Sequence, residues 1–355
     1  MAGAPHMAGH NAAMDEDGAA TAAQLLAIVN GSWMSQVAHV AATLRIPDRL
    51  AERASSAEDL AREAGVHAPS LRRLLRALVT LEICRENREG LYEITPMGAL
   101  LRSDVPDSLR SWTLYWGGPQ WPVWGNLLHS VTTGESARKL MTGYEGFERL
   151  DTDPQAAALF NQAMVELTRL EAADIVRACD ISASKRIIDV GGGFGELLAE
   201  ILKANPDKCG VLFDRPHAMD GARVLMEAAQ LTDRCEFIAG DFFETIPGGA
   251  DAYLLKSVIH DWNDERSVAI LRNCRHAMKG AAKLLLVERI VPRQLGASTA
   301  HRSIARGDLN MLVGLGGRER TEDEYRGLLD AAGLTVKAIV PAGRTFGVIE
   351  AVPAS

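Results

Sequence analysis

No apolar run in the sequence approaches the roughly 20 residues that a membrane-spanning helix needs, so a helical membrane protein is not expected. Cysteine is sparse and unpatterned. Cys84, Cys179, Cys209, Cys235 and Cys274 are odd in number and contain no C-x-x-C pair, which argues against a disulfide framework and a zinc site and points to reduced thiols in the cytoplasm. Positive charge is in deficit: 38 Lys and Arg against 46 Asp and Glu leave a net charge of −8, which disfavours a sequence-independent nucleic-acid binder. The Ala/Gly/His stretch at the N-terminus lacks the basic and hydrophobic parts of a signal peptide. Residues 1 to about 18 are therefore expected to form a mobile tail in which His6 and His10 have no role. What remains is the composition of an ordinary globular protein, 47% hydrophobic and 24% charged, and its 355 residues call for more than one domain.

The most informative stretch is Arg186-Ile-Ile-Asp189-Val-Gly191-Gly192-Gly193-Phe-Gly195-Glu196, where a short apolar run meets glycines and then a helical pattern (Leu197, Leu198, Ile201, Leu202). A buried parallel strand turns into its crossover helix in this way, and glycines let a ligand approach the helix N-terminus without meeting a Cβ. A dinucleotide fingerprint would place a third glycine where Glu196 stands. With Asp189 before the glycines and no Lys or Arg in the turn, the site suits a cation rather than a pyrophosphate. S-adenosylmethionine, with a sulfonium, an ammonium group and no phosphate, meets that description. Asp214, which ends the next apolar run, lies about 20 residues on, where an acid caps ribose hydroxyls in open α/β folds. The alternative is a tight turn with solvated acids.

Before this turn the chain reads as helical. From Ala22 to Leu44 the apolar residues Leu25, Ile28, Val29, Trp33, Val37, Val40 and Leu44 form one stripe, with Pro47 as a stop. A second helix follows Ser56, with Asp59 completing a capping-box-like pattern, and a third runs from Ser70 to Leu81. Glu89-Gly90 then separates two β-prone pieces. Helix, helix and hairpin form a winged-helix layout, which raises the possibility of a ligand-responsive DNA regulator. Arg62, Arg72, Arg73 and Arg76 are, however, surrounded by acids (Glu58, Asp59, Glu63, Glu82, Glu86, Glu89), so a structural or dimer-forming role is expected instead. Residues 107 to 180 read as mainly helical. They hold Trp112, Trp116, Trp121 and Trp124, a cluster open to either core packing or a pocket for a flat substrate. After Asp214, strands and helices continue to alternate. Three strands end in polar residues, namely Asp241, Lys256 with His260, and Glu288, at the edge where open parallel sheets bind ligands. The expected divisions are a tail (1–18), a winged-helix-like domain (19–106), a helical linker and acceptor-pocket region (107–180) and a cofactor domain (181–355).

Taken together, Asp189-Val-Gly-Gly-Gly-Phe-Gly, Phe213-Asp214-Arg215-Pro216, Gly240-Asp241-Phe242-Phe243, Leu255-Lys256-Ser257-Val258-Ile259-His260-Asp261-Trp262 and Gly316-Gly317-Arg318-Glu319-Arg320-Thr321 resemble the S-adenosylmethionine-dependent O-methyltransferases of the caffeate and acetylserotonin type, which include bacterial enzymes of secondary metabolism. The resemblance spans residues 22 to 352. It implies an α/β fold, a class I methyltransferase doubly wound seven-stranded sheet with its last strand reversed, and an N-terminal winged-helix domain that dimerises. It also implies that the cofactor meets Asp189, Gly191, Gly193, Asp214, Arg215, Gly240, Asp241, Phe242, Lys256 and Ser257, and leaves as S-adenosylhomocysteine. His260 matches the family's general base, and Glu288 and Glu319 the acids that orient it. Phe160 and Met164 match side chains that sandwich the acceptor ring and Met311 lies where further pocket residues come from, while Asn161, Trp112 and Asp261 are further candidates for the acceptor site. Arg215 departs from the usual leucine.

The chemistry explains these residue types. Methyl transfer is an in-line displacement by a phenol oxygen, and a phenol of pKa about 10 is mostly protonated at neutral pH. Histidine titrates near neutrality, and a carboxylate on its other ring nitrogen fixes the tautomer, so His260 with Glu288 or Glu319 supplies the base. No metal is required, and no metal-ligand cluster is visible in the sequence. The expected acceptor is a small phenolic or polycyclic hydroxyl compound. The rival in the same fold is altered chemistry, such as decarboxylation or hydroxylation of a polycyclic substrate.

Overall fold

The computed structural model describes residues 16–144 and 146–354. Its Cα atoms group into two compact units, 1–99 and 100–355. The expected N-terminal tail lies outside the described residues up to residue 15, and residues 16 to 18 are already helical.

The first unit contains α1 (Glu16–Thr43), α2 (Ile46–Glu52), α3 (Ala57–Ala64), α4 (Ala68–Thr80), the antiparallel pair β1 (Cys84–Glu86) and β2 (Tyr92–Ile94), and α5 (Pro96–Ala99). Pro47 was expected as a stop. It lies instead in the first turn of α2, where a missing N–H costs nothing, and the break falls at Arg45, whose φ is 54°. Ser56 caps α3 as expected, its Oγ accepting from Asp59 N at 3.1 Å and donating to Asp59 Oδ2 at 2.7 Å. Gly90 turns the hairpin at φ 78°. The α1 stripe is not packed along its length: Leu25, Ile28, Val29 and Trp33 are 59–77% exposed.

The second unit begins with α6 (Arg110–Gly117), α7 (Trp121–Gly125), α8 (Leu127–Thr133), α9 (Ala137–Thr142), α10 (Glu148–Thr152) and the long α11 (Pro154–Ala178), which Asp153 caps through Ala156 N. The alternating part follows: β3 (Arg186–Val190), α12 (Glu196–Ala204), β4 (Cys209–Asp214), α13 (Pro216–Ala228), β5 (Cys235–Ala239), β6 (Ala252–Lys256), α14 (Asp264–Ala277) and β7 (Lys283–Val291). It closes with α15 (Thr299–Gly314), β8 (Arg320–Thr321), α16 (Glu322–Ala331), β9 (Leu334–Ala342) and β10 (Phe346–Pro353). The sequence pattern located only the last part of α15, residues 308 to 313.

Strand order is β5-β4-β3-β6-β7-β10-β9. The first five strands are parallel, and β10 runs antiparallel to both β7 and β9, so the last strand is reversed. The two-residue β8 adds a short parallel pairing to β7, an element beyond the expected seven. Side chains alternate between two buried layers, as a sheet covered on both faces requires. Ile188, Val211, Tyr253, Leu255 and Leu286 pack against α14 and α16, whereas Ile187, Leu212, Leu254, Leu285 and Val287 pack against α11, α12 and α13. Parallel pairing brings the ends of β3, β4 and β6 to one edge, with Asp189, Asp214 and Lys256 there. All five cysteines are free thiols.

Candidate active site

A cavity of about 580 Å³ opens at this edge. All ten residues expected at the cofactor and all six expected at the acceptor line it. Its cofactor end is built by the glycine turn. Gly191, Gly193 and Gly195 have φ of 73°, 59° and 84°, a backbone that L side chains rarely adopt, and a Cβ on Gly191 would stand 2.9 Å from Val258 Cγ2. Asp214 accepts from the backbone N–H of Gly193 and of Arg215, each at 2.6 Å, which aims its carboxylate across the turn. Asp189 lies buried beneath the glycines. Burial first, and Asp214 second, push its carboxyl up to about 7.

Glu196 lines the cavity, but its charge is not free as the sequence implied. Arg169 forks onto it, Nε to Oε1 at 2.8 Å and Nη2 to Oε2 at 3.1 Å, and takes up its charge. Glu171 on α11 has its Oε2 buried without a hydrogen-bond partner, with Lys256 and Arg289 in electrostatic range. Lys256 nearby donates to Thr168 Oγ1 at 2.9 Å, and burial pulls its ammonium down to about 8. An acid-rich end with an orphaned carboxylate oxygen fits a cationic, phosphate-free cofactor. Arg215 bonds Asp241 at 3.0 Å and also pairs with Asp151 of α10, so the departure from leucine ties this rim of the cavity to α10.

His260 sits in a short helical turn after β6 and is 5% exposed. Its Nδ1 lies 3.2 and 3.3 Å from the two oxygens of Glu319 and 3.5 Å from Glu288 Oε2, while Nε2 lies 3.5 Å from Asp261 Oδ1. The two acids differ in task. Glu288 Oε1 accepts from the N–H of Val258 and Ile259 at 3.1 and 2.8 Å and so fixes the turn, whereas Glu319 faces the ring. Neither acid lines the cavity; both lie behind His260. Burial lowers the basicity of His260, but Glu319, Glu288 and Asp261 together outweigh it and raise the imidazole to about 9. Titration near neutrality was expected, and the carboxylate cage overturns it. The same trio brings His260, Glu288 and Glu319 donor atoms within 4.8 Å of one another, a possible metal-ligand set that widely separated sequence positions did not reveal. Glu319 engages His260 Nδ1 and the turn amides engage Glu288 Oε1, whereas Glu288 Oε2 is buried without a hydrogen-bond partner.

The turn is held from outside by the second half of the motif series. Arg320 is fully buried, donates to the carbonyls of Ile259 at 3.1 Å and Trp262 at 2.7 Å, and forks onto Asp264. Arg318 N donates to the His260 carbonyl at 2.9 Å. Gly317 must be glycine, because a Cβ there would stand 2.1 Å from that same carbonyl oxygen.

The acceptor end is aromatic. Trp112, Trp116 and Trp124 line the cavity with Tyr115 and Phe160, whereas Trp121 is 40% exposed and does not. The cluster thus divides between pocket and surface. The sequence missed Tyr115, Phe147, Arg138, Glu171 and Arg289, all in the lining. None of these sits in a local motif, and only for Tyr115, among the tryptophans, was there any signal.

A glycine turn rimmed by acids, above a doubly wound sheet with a reversed last strand, defines an S-adenosylmethionine-binding methyltransferase. Known proteins narrow this. The O-methyltransferase domain family matches residues 124–335, and the O-methyltransferase dimerisation domain family matches residues 26–104. Phenazine O-methyltransferase PhzM of Lysobacter antibioticus is 40% identical over 329 residues, 93% of this chain and 95% of that protein. The mitomycin biosynthesis 6-O-methyltransferase of Streptomyces lavendulae is 38% identical over 89% of this chain and 90% of that protein. The crystal structure of NcsB1, an O-methyltransferase from neocarzinostatin biosynthesis, in complex with S-adenosylmethionine and 2-hydroxy-5-methyl naphthoic acid, is similar at TM-score 0.77 and 33% identity, covering 90% of this chain and 95% of that one. The chain belongs to the O-methyltransferase family and is an S-adenosylmethionine-dependent O-methyltransferase.

Proposed function

We propose that this enzyme methylates a hydroxyl of a small, flat aromatic acceptor, phenolic or polycyclic, in bacterial secondary metabolism, with His260 as general base. The observation that carries this is His260, backed by Glu319 and opening into a cavity walled by tryptophan, tyrosine and phenylalanine. S-adenosylmethionine, when bound, supplies an electrophilic methyl group. Asp189, Gly191, Gly193 and Asp214 would hold its ribose and amino-acid portions, Gly240, Asp241, Phe242 and Arg215 its adenine side, and Lys256 and Ser257 the strand end between them. Phe160, Met164, Met311 and Trp112 would clamp the acceptor ring, while Asn161 and Asp261 orient its hydroxyl.

His260 Nε2 then takes the phenol proton as the oxygen attacks, and Glu319 stabilises the imidazolium through Nδ1. An imidazole raised to about 9 lies much closer to a phenol of about 10 than an unperturbed histidine of about 6.5 does, so the proton transfer is less uphill. The cage makes the stronger base. Incubation with methyl-labelled cofactor and a panel of hydroxynaphthalenes should give labelled ethers; cofactor binding without transfer to any hydroxyl would contradict the assignment.

We also propose a cytoplasmic homodimer formed through the N-terminal domain. Support comes from the dimerisation-domain match and from the exposed apolar residues of α1. No nucleic-acid partner is proposed, since Arg62 and Arg72 are paired with Asp59 and Glu58. No helix among the described residues is long and apolar enough to cross a membrane.

A further inference from the structure

Six cationic side chains line the cavity: Arg138, Arg215, Lys256, Arg266, Arg289 and Arg306. Four are accounted for. Arg215 is bound by Asp151 and Asp241, Lys256 by Thr168 with Glu171 in electrostatic range, and Arg289 lies 3.6 Å from Glu319. Arg266 lies over the rings of Trp262 and Phe243, 4.2 and 4.3 Å from their centroids. Arg306 is exposed. Among the half-buried cations, Arg138 is set apart by having neither an ion pair nor a ring contact among the described residues, although Arg289 shares a buried Nε without a hydrogen-bond partner. Arg138 is half-buried, its Nε is shut off from solvent without a hydrogen-bond partner, and no carboxylate among the described residues lies within ion-pair distance.

Its position is fixed by the fold. Arg138 lies in the first turn of α9, which Ser136 caps by accepting from Lys139 N at 3.2 Å. The same Ser136 hydroxyl faces the carbonyls of Val313 and Gly314 at 3.2 and 2.6 Å, which ties α9 to the end of α15. The Arg138 terminal nitrogen passes over Gly314, where a Cβ would stand 3.2 Å away. Its charge is felt by Asp261, beside the base, and by Tyr115, in the aromatic wall. A guanidinium partly removed from water, facing an aromatic chamber and with Asp261 in electrostatic range but no direct ion pair among the described residues, gains most from a ligand that supplies a bonded anion. The planar fork matches a carboxylate.

We propose that Arg138 receives a carboxylate of the acceptor, so that the substrates are hydroxylated aromatic carboxylic acids whose ring lies among Trp112, Tyr115, Trp116 and Trp124 while a ring hydroxyl meets His260. This rests on the acceptor assignment above. The methyl group moves from sulfonium sulfur to the hydroxyl oxygen, the hydroxyl proton goes to His260, and the carboxylate stays ionised and unmethylated. The product is an aryl ether acid.

The test uses hydroxynaphthoic acids, their carboxamides and 2-naphthol as probes. Calorimetry on the full-length protein loaded with S-adenosylhomocysteine should show at least one acid binding roughly 10- to 100-fold more tightly than its carboxamide. Arg138→Gln should abolish that preference and Arg138→Lys restore part of it, with S-adenosylhomocysteine affinity reporting an intact fold. In turnover the loss should fall on KM for the acid. Equal affinity for acid and amide, an equal loss for all three probes in Arg138→Gln, or a methyl ester as product would overturn the proposal. Binding preference without transfer to any hydroxyl would leave the Arg138 site standing and remove the general-base reading instead.

Discussion

Three carboxylates around one buried imidazole set the pH behaviour of this site. Because the reactive form of His260 is unprotonated and its pKa is raised to about 9, kcat/KM for a weakly acidic phenol should climb from pH 7, reach half its plateau near pH 9 and level off only above it. Glu319→Gln removes the carboxylate nearest Nδ1, so the climb should move to lower pH while the plateau falls by about 100-fold, as lost stabilisation of the imidazolium requires. A profile flat from pH 6 to 9 in both proteins would show that proton removal does not limit the rate. At this scale the sequence was informative where chemistry is local. The His260 motif and the glycine turn announce themselves, whereas Arg138, Glu171 and Arg289 become site residues only through folding. The same holds for Glu196, whose charge reads as free until Arg169, on another helix, is placed against it.

At the scale of elements, the site depends on a lock between the turn carrying His260 and the loop from α15 to β8. Gly317→Ala pushes a methyl against the His260 carbonyl, and Arg320→Ala leaves Asp264 and two buried carbonyls without their donor. Arg320→Ala should cost about 3 kcal/mol, read as a lowered denaturant midpoint. Gly317→Ala should depress kcat more than it depresses S-adenosylhomocysteine affinity, because it displaces the base and not the glycine turn; equal loss of both would show that the lock serves only stability. Helix caps at Ser56 and strand runs such as Leu284 to Val287 were legible because propensity and packing agree there. The start of α15 and the whole of α2 were not. Pro47 is compatible with a first helical turn as well as with a stop, and residues 299 to 307 carry no clear apolar period.

For the whole molecule, the exposed apolar stripe on α1 predicts association. Wild type should sediment as a dimer, and the double change Ile28→Glu with Trp33→Glu should yield a monomer with near-native helicity. A variant that remained dimeric would place the interface elsewhere. The first unit carries this exposed apolar stripe, and the cavity of the second has acids at one end and aromatic walls at the other.

The most direct test of the account is the rate of methyl transfer to a weakly acidic phenol by His260→Ala, with cofactor binding measured in parallel by calorimetry. General-base catalysis predicts a loss of roughly 10²- to 10⁴-fold with S-adenosylmethionine affinity retained. A variant that binds the cofactor and transfers methyl at the wild-type rate would contradict it.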